Sequence, residues 1–306
     1  MGVDESPGSA DAIALASSLA GMTGAELTLV NVFPYETHPS RAVNHQYETY
    51  LQQDSQDMLE RLRSAHGDET AEVKPIPNLS PAHALHELAE KVDAGLIVVG
   101  STHTGRAGRV LPGSTAERLL HGLPCPVAVA PKHYAHEPAR EAGIVGCGYD
   151  GSPAARNAVV TAHRIAAANG TRLRVIRAFS PLAYDAPPQK GVPMGGVSYR
   201  LSYNDKLQER ASEELDDAVA KLDGPPRGER YFAVGDAAEI LVSASEQLDL
   251  LVLGSRGYGP LHSVLVGGVA GRVVREAACP VIVLPRTAGH VEENSLFAAT
   301  APPVHG

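Results

Sequence analysis

The chain has 306 residues, 43% of them hydrophobic and 20% charged, with a formal net charge of -9 and a pI near 5.8. This length favours two domains with ample core, and the acidic balance argues against a nucleic-acid or anionic-membrane partner, either of which needs a basic face. No apolar run approaches the roughly 18 residues of a membrane span, and Met1 is followed at once by "GVDES" rather than by a secretion signal, so the expected address is cytoplasmic.

In chain order, the first motif is "GVDESPGS" from Gly2, an aspartate at the end of a short apolar segment. Next comes "HALHE", which sets His83 and Glu87 on one helix face, expected to be a solvated face rather than a metal site. The apolar run "GLIVVG" reads as a buried strand, and "GSTHTGRAGRVLPGST", Gly100 to Thr115, leaves it. "STAE" from Ser114 to Glu117 has the spacing of a capping box. "CPVAVAP" closes the first half, and the polar "KHYAHEPAREA", Lys132 to Ala142, reads as a linker.

The second half predicts strands at "GIVGCGY", "RLRVIRAF", "RYFAV", "DLLVLG" and "PVIVLP". Helices are expected near Ala154 to Asn169, Asn204 to Leu222, Ala238 to Gln247 and Val269 to Ala277. "DAPPQKGVPMGG", Asp185 to Gly196, reads as a flexible loop, and residues 287–306 as a disordered tail. The cysteines, Cys125, Cys147 and Cys279, are odd in number and widely spaced, which suits a reducing compartment; two of them sit as small apolar residues at strand starts.

The halves are copies. "GVDESPGS" from Gly2 aligns with "GYDGSPAA" from Gly148 at an offset of 146, and Gly100, Gly113, Arg118 and Cys125 align with Gly254, Gly267, Arg272 and Cys279 at an offset of 154. The difference places eight extra residues in the middle of the second copy. Two domains follow, 1–135 and 142–286, each alternating strands with helices in the pattern of a doubly wound parallel sheet, whose ligands bind beyond the carboxyl ends of the strands. Only three residues precede Asp4 where seven, Gly143 to Tyr149, precede Asp150, so the expectation is an upstream start or a first domain that opens first.

Glycines leaving a strand toward a helix N-terminus let unpaired backbone N–H groups approach an anion, and phosphate is the natural occupant. The second copy carries Gly254, Gly257, Gly267 and Gly268 in such a loop; the first carries Gly100, His103, Gly113, Ser114 and Thr115. The competing reading is that these glycines only permit close packing, and that the aspartates only serve turns and caps. "GCGYDG", Gly146 to Gly151, matches a dinucleotide fingerprint weakly, because Arg172 and Arg174 stand where an acid is wanted. No glycine loop continues into G-K-S/T, so a P-loop lysine is missing.

These motifs together resemble the universal stress proteins in their tandem form: the glycine loop after the fourth strand, the aspartate of "VDESP" and "YDGSP", and the closing "CPVAVAP" and "CPVIVLP" strands. The resemblance implies two doubly wound parallel five-stranded sheets of the adenine nucleotide alpha hydrolase-like kind, associated through their last strands as an internal pseudo-dimer, with a homodimer of the whole chain left open. It further implies ATP, with or without magnesium, held by Asp4 and Val32 in the first copy and by Asp150 and Ala178 in the second. Val99 and Leu253 would line the adenine or ribose pocket, and the loops, including Arg256, would hold ribose and phosphates. Two departures stand out: His103 replaces a glycine, and Gly268 replaces the usual serine or threonine. A protonated His103 would add a cation beside the phosphates as pH falls through about 6.5. The implied function is regulatory nucleotide binding without turnover. A nucleotide-free interaction scaffold and a nucleotide hydrolase or transferase are the alternatives, the latter disfavoured because no lysine, carboxylate pair or second histidine is placed to activate a nucleophile.

Overall fold

The computed structural model describes residues 1–35, 45–66, 69–101, 114–136, 143–181, 195–255 and 268–285. The first repeat runs α1 (Gly8–Thr23), β1 (Thr28–Phe33), α2 (His45–Ala65), β2 (Glu72–Pro77), α3 (Pro81–Lys91), β3 (Ile97–Gly100), α4 (Ser114–His121) and β4 (Val127–Ala130). The second runs β5 (Ile144–Gly148), α5 (Pro153–Ala168), β6 (Arg172–Phe179), α6 (Gly195–Ala220), β7 (Gly228–Val234), α7 (Ala237–Ser245), β8 (Leu250–Gly254), α8 (Gly268–Glu276) and β9 (Val281–Leu284).

The sheet order is β3-β4-β9-β8-β5-β6-β7, and every neighbouring pair is parallel except β4 and β9. That antiparallel pair, with Ala128 opposite Ile282, joins the two repeats through their last strands. The two halves associate as expected, and the five-strand count holds in the second repeat but not in the first. The second repeat supplies β5 to β9 to a shared sheet, whereas β1 and β2 make a two-stranded ladder of their own. Residues 1–3 bridge the gap: Gly2 N–H donates to Val98 O at 3.0 Å and Val3 N–H to Val30 O at 2.9 Å. The link between β1 and β3 at these residues is a bridge of isolated bonds.

Helices cover both faces. α1, α5 and α6 bury Leu15, Leu19, Val159, Ile165 and Leu215 on one side, while α3, α4, α7 and α8 bury Leu85, Leu119, Leu241 and Val273 on the other. Each cluster contains residues of both repeats, so the apolar core is continuous across the duplication. α1 stops at Gly24, whose φ of 68° reaches the left-handed region and whose N–H bonds Ala20 O. Gly170, 146 positions further on, reaches φ 60° one residue after Asn169, the residue that caps α5.

The segment read as a linker is structured in its first part. Asp11 of α1, 4% exposed, accepts His133 N–H at 3.0 Å and Ala135 N–H at 2.9 Å, holding a 3-10 turn, Tyr134–His136, and the left-handed φ of 69° at His133. Asp11→Ala should lose both charge-assisted bonds and cost about 2–3 kcal/mol of stability, measured by urea denaturation. α6 likewise starts at Gly195, inside the segment read as a loop, and α4 starts at Ser114 itself. The helix thus starts at the serine that opens the "STAE" stretch.

Candidate functional site

Parallel register brings the second-repeat residues together. Gly148 sits opposite Ile176, and Cys147 opposite Val252, so two residues on, Asp150, Ala178 and Gly254 reach the same end of three adjacent strands, β6, β5 and β8. The chain order reverses at β5, with β6 and β7 on one side and β8 and β9 on the other, which is the switch point where doubly wound sheets take ligands. In the first repeat the bridge at Gly2 does the same for Asp4, Val32 and Gly100.

Each aspartate builds the turn into the next helix. Asp150 accepts Ser152 N–H at 2.9 Å, and the Ser152 hydroxyl caps α5 by accepting Ala155 N–H at 3.1 Å. Asp4 Oδ1 accepts Ser6 N–H at 2.9 Å, the Ser6 hydroxyl, and the Ser9 hydroxyl at 3.0 Å. Both aspartates therefore take part in turns, at the strand ends where the sequence placed them. Below the second turn lies a set that the sequence did not disclose: Arg177 pairs with Glu214 at 3.3 Å and stacks over Tyr149 at 5.7 Å. Arg156 donates to Gly151 O at 2.6 Å, so two guanidinium groups flank this turn. The first repeat has Asn31 at the place of Arg177, donating to Val3 O at 2.9 Å and accepting the Ser55 hydroxyl at 2.7 Å. Apart from Arg156 and Gly151, these partners lie tens of residues apart in sequence, and no local pattern announces them.

The first loop glycines have a packing cause. A Cβ on Gly100 would stand 2.2 Å from Gly8 O, and one on Gly254 would stand 2.7 Å from the Ala154 carbonyl carbon and oxygen. The strand ends press against the first turns of α1 and α5, and only glycine fits. Val99 and Leu253, expected in the pocket, are each 4% exposed and belong to the apolar core. Gly146 and Gly148 are strand residues whose missing side chains make room for Leu248 and Leu253, so the G-x-G-x-x-G match is a packing pattern, not a dinucleotide loop. Gly268 differs: among the described residues nothing lies within 4 Å of where its Cβ would be. It begins α8, whose first turn carries no acidic residue, so its N–H groups suit an anion; α4 has Glu117 in that place. Thr115 lies in the first turn of α4 and is partly exposed. His103, Gly113, Arg256, Gly257 and Gly267 lie outside the described residues.

A cavity of about 810 Å³ lies at the other end of the sheet, where Ile144 and Arg172 begin their strands, Pro280 leads into β9, and Leu19 and Met22 of α1 contribute to the lining. It contains none of the residues named for the nucleotide. His83 and Glu87 do share a helix face, 3.4 Å apart and solvated, and among the described residues no three His, Cys, Asp or Glu side chains converge as a metal site would require. Also among the described residues, no helix is long and apolar enough to cross a membrane. Burial pushes the Cys125 thiol up to about 11 and raises that of Cys147 as well. With Cys279 also buried, all three thiols should resist a disulfide reagent at pH 8 in the native protein and react together after unfolding; fast native labelling would contradict this packing.

The universal stress protein family model matches the chain twice, over residues 1–131 and 142–285. The chain belongs to the universal stress protein family. A universal stress protein of Mycobacterium tuberculosis is 30% identical to it over 210 residues, spanning 67% of this chain and 69% of that protein. A second from the same organism is 29% identical over 306 residues, spanning 92% of this chain and 94% of that one. In fold, a crystallised universal stress protein from Archaeoglobus fulgidus matches with a TM-score of 0.65 at 19% identity, over 93% of this chain and 97% of its own. This universal stress protein is thus a tandem α/β repeat whose halves share one sheet.

Proposed function

We propose that this universal stress protein binds ATP or a related adenine nucleotide, alone or with magnesium, at the strand ends of its second repeat, and acts in the cytoplasm as a stress-response regulator with little or no turnover. The observation that carries the reading is the convergence of Asp150, Ala178 and Gly254 on one end of three adjacent strands, beside the N-terminus of α5. α8 adds a helix start with an open Gly268 and no acidic residue in its first turn. Such a start favours an anion by the alignment of its backbone dipoles.

The residues at this end would bind and orient a nucleotide. Asp150 would accept a hydrogen bond from the adenosine, the backbone at Ala178 would meet the base, and the α8 N–H groups would face the phosphates. A nucleotide-free scaffold is the second reading, favoured by the packing cause found for Gly100 and Gly254. Denaturing the purified protein and analysing the released small molecules separates the two, with a phosphate-release assay on the native protein under magnesium. Bound adenine nucleotide with negligible release supports the proposal. Nucleotide-free protein that takes up no added ATP supports the scaffold, and steady release supports an enzyme.

A further inference from the structure

Among the described residues, five buried side-chain atoms lack a hydrogen-bond partner: Arg63 Nε, Ser101 Oγ, His163 Nε2, Arg177 Nη1 and Ser255 Oγ. Two of these are the same position in the two repeats. Ser101 follows Gly100 and Ser255 follows Gly254, and the residues are 5% and 1% exposed. Their backbones are satisfied, Ser101 N–H by Ala130 O at 3.1 Å and Ser255 N–H by Leu284 O at 2.9 Å, so only the hydroxyls are orphaned. Buried hydroxyls are almost always paired, and the same omission made twice asks for a cause.

Strand alternation gives the direction. Gly254 turns its Cβ position toward Ala154 of α5, so Ser255 points to the opposite face, where Leu253 packs with Ala270, Val273 and Val274 of α8. α8 leads into β9, which is parallel to β8, so the helix runs back along the strands and starts at the Ser255 end. The unpaired hydroxyl therefore lies at the end and on the face where α8 presents its first N–H groups. Ser101 stands in the same relation to α4, since Gly100 faces Gly8 and Val99 packs with Leu119 and Leu120.

We propose that the Ser255 hydroxyl donates a hydrogen bond to a phosphoryl oxygen of the bound nucleotide, and that Ser101 does so more weakly in the first repeat, where Glu117 shares the helix start. This rests on the nucleotide reading given above. A phosphoryl oxygen supplies the acceptor that the protein withholds, at a helix end that favours its charge.

Calorimetric titration of the full chain with magnesium ATP, and separately with adenosine, alongside thermal melts, tests this in the parent, Ser255→Ala and Ser101→Ala proteins. Ser255→Ala should weaken ATP binding about tenfold, leave adenosine binding unchanged, and raise the melting temperature of the nucleotide-free protein by about 2 °C, because an unsatisfied buried hydroxyl has been removed. Ser101→Ala should show the smaller loss. A parent that binds ATP while Ser255→Ala binds it equally well overturns the assignment and leaves the nucleotide reading standing. Equal weakening toward ATP and adenosine overturns the phosphoryl contact. A melting temperature several degrees lower shows that the hydroxyl is already paired in the free protein, which also overturns it. A parent that binds neither ligand overturns the nucleotide reading and this inference together.

Discussion

Gly254→Ala should destabilise the protein by about 3 kcal/mol or more, while Gly268→Ala in the same glycine motif should be neutral or stabilise by about 0.5–1 kcal/mol. The new Cβ at position 254 would lie 2.7 Å from two backbone atoms of Ala154 and 2.9 Å from its Cβ, distances that a backbone cannot absorb by a rotamer change. α5 cannot easily move away, because Ser152 caps it and Asp150 fixes Ser152. At position 268 nothing among the described residues lies within 4 Å, and alanine is the better helix former. Equilibrium denaturation in urea measures both. Equal effects at the two positions would mean that the packing cause assigned to Gly254 is wrong.

Ile282→Asp should cost at least about 4 kcal/mol and abolish the single unfolding transition expected of the parent. Ile282 is 1% exposed at the centre of the antiparallel ladder between β4 and β9, opposite Ala128, and both apolar clusters draw on both repeats. A carboxylate there would sit in an apolar cluster where the two halves meet, so the ladder should part and the halves unfold separately. Val160→Asp, on α5 and 39% exposed, is the control and should change stability by no more than about 0.5 kcal/mol. Calorimetry on the three proteins decides it. Two transitions in the parent, or a mild effect of Ile282→Asp, would show that the halves are energetically independent.

Much of this fold was legible because the chain states it twice. β6 occupies the residues of "RLRVIRAF" without adjustment, and β8, β9, α5, α7 and α8 begin within a residue of their expected starts, since apolar runs and capping residues are local signals. The start of α6 was read nine residues late because Gly195 and Gly196 look like loop residues, yet the first turn of a helix tolerates them. The candidate site was legible in outline only. Aspartates after a strand and glycines after another mark the ligand end of such a sheet. Which glycines answer to packing depends on how closely α1 and α5 approach, and that distance is set by residues about a hundred positions away. Arg177, Tyr149 and Glu214 meet through the parallel pairing of β5 with β6 and the return of α6, so no motif contains them. The orphan hydroxyls of Ser101 and Ser255 are invisible in sequence for the same reason, because the lack of a partner is a property of the surroundings.

The most direct test of adenine nucleotide binding at the second repeat is titration of the full chain with magnesium ATP by calorimetry, in the parent and in Asp150→Ala. Asp150 stands at the end of the central strand, level with Ala178 and beside the α5 N-terminus, so its loss should weaken ATP by at least about tenfold while circular dichroism shows the fold retained. Saturable binding in the parent that is lost in Asp150→Ala is the predicted result. No binding in the parent, or equal affinity in the two proteins, would contradict it.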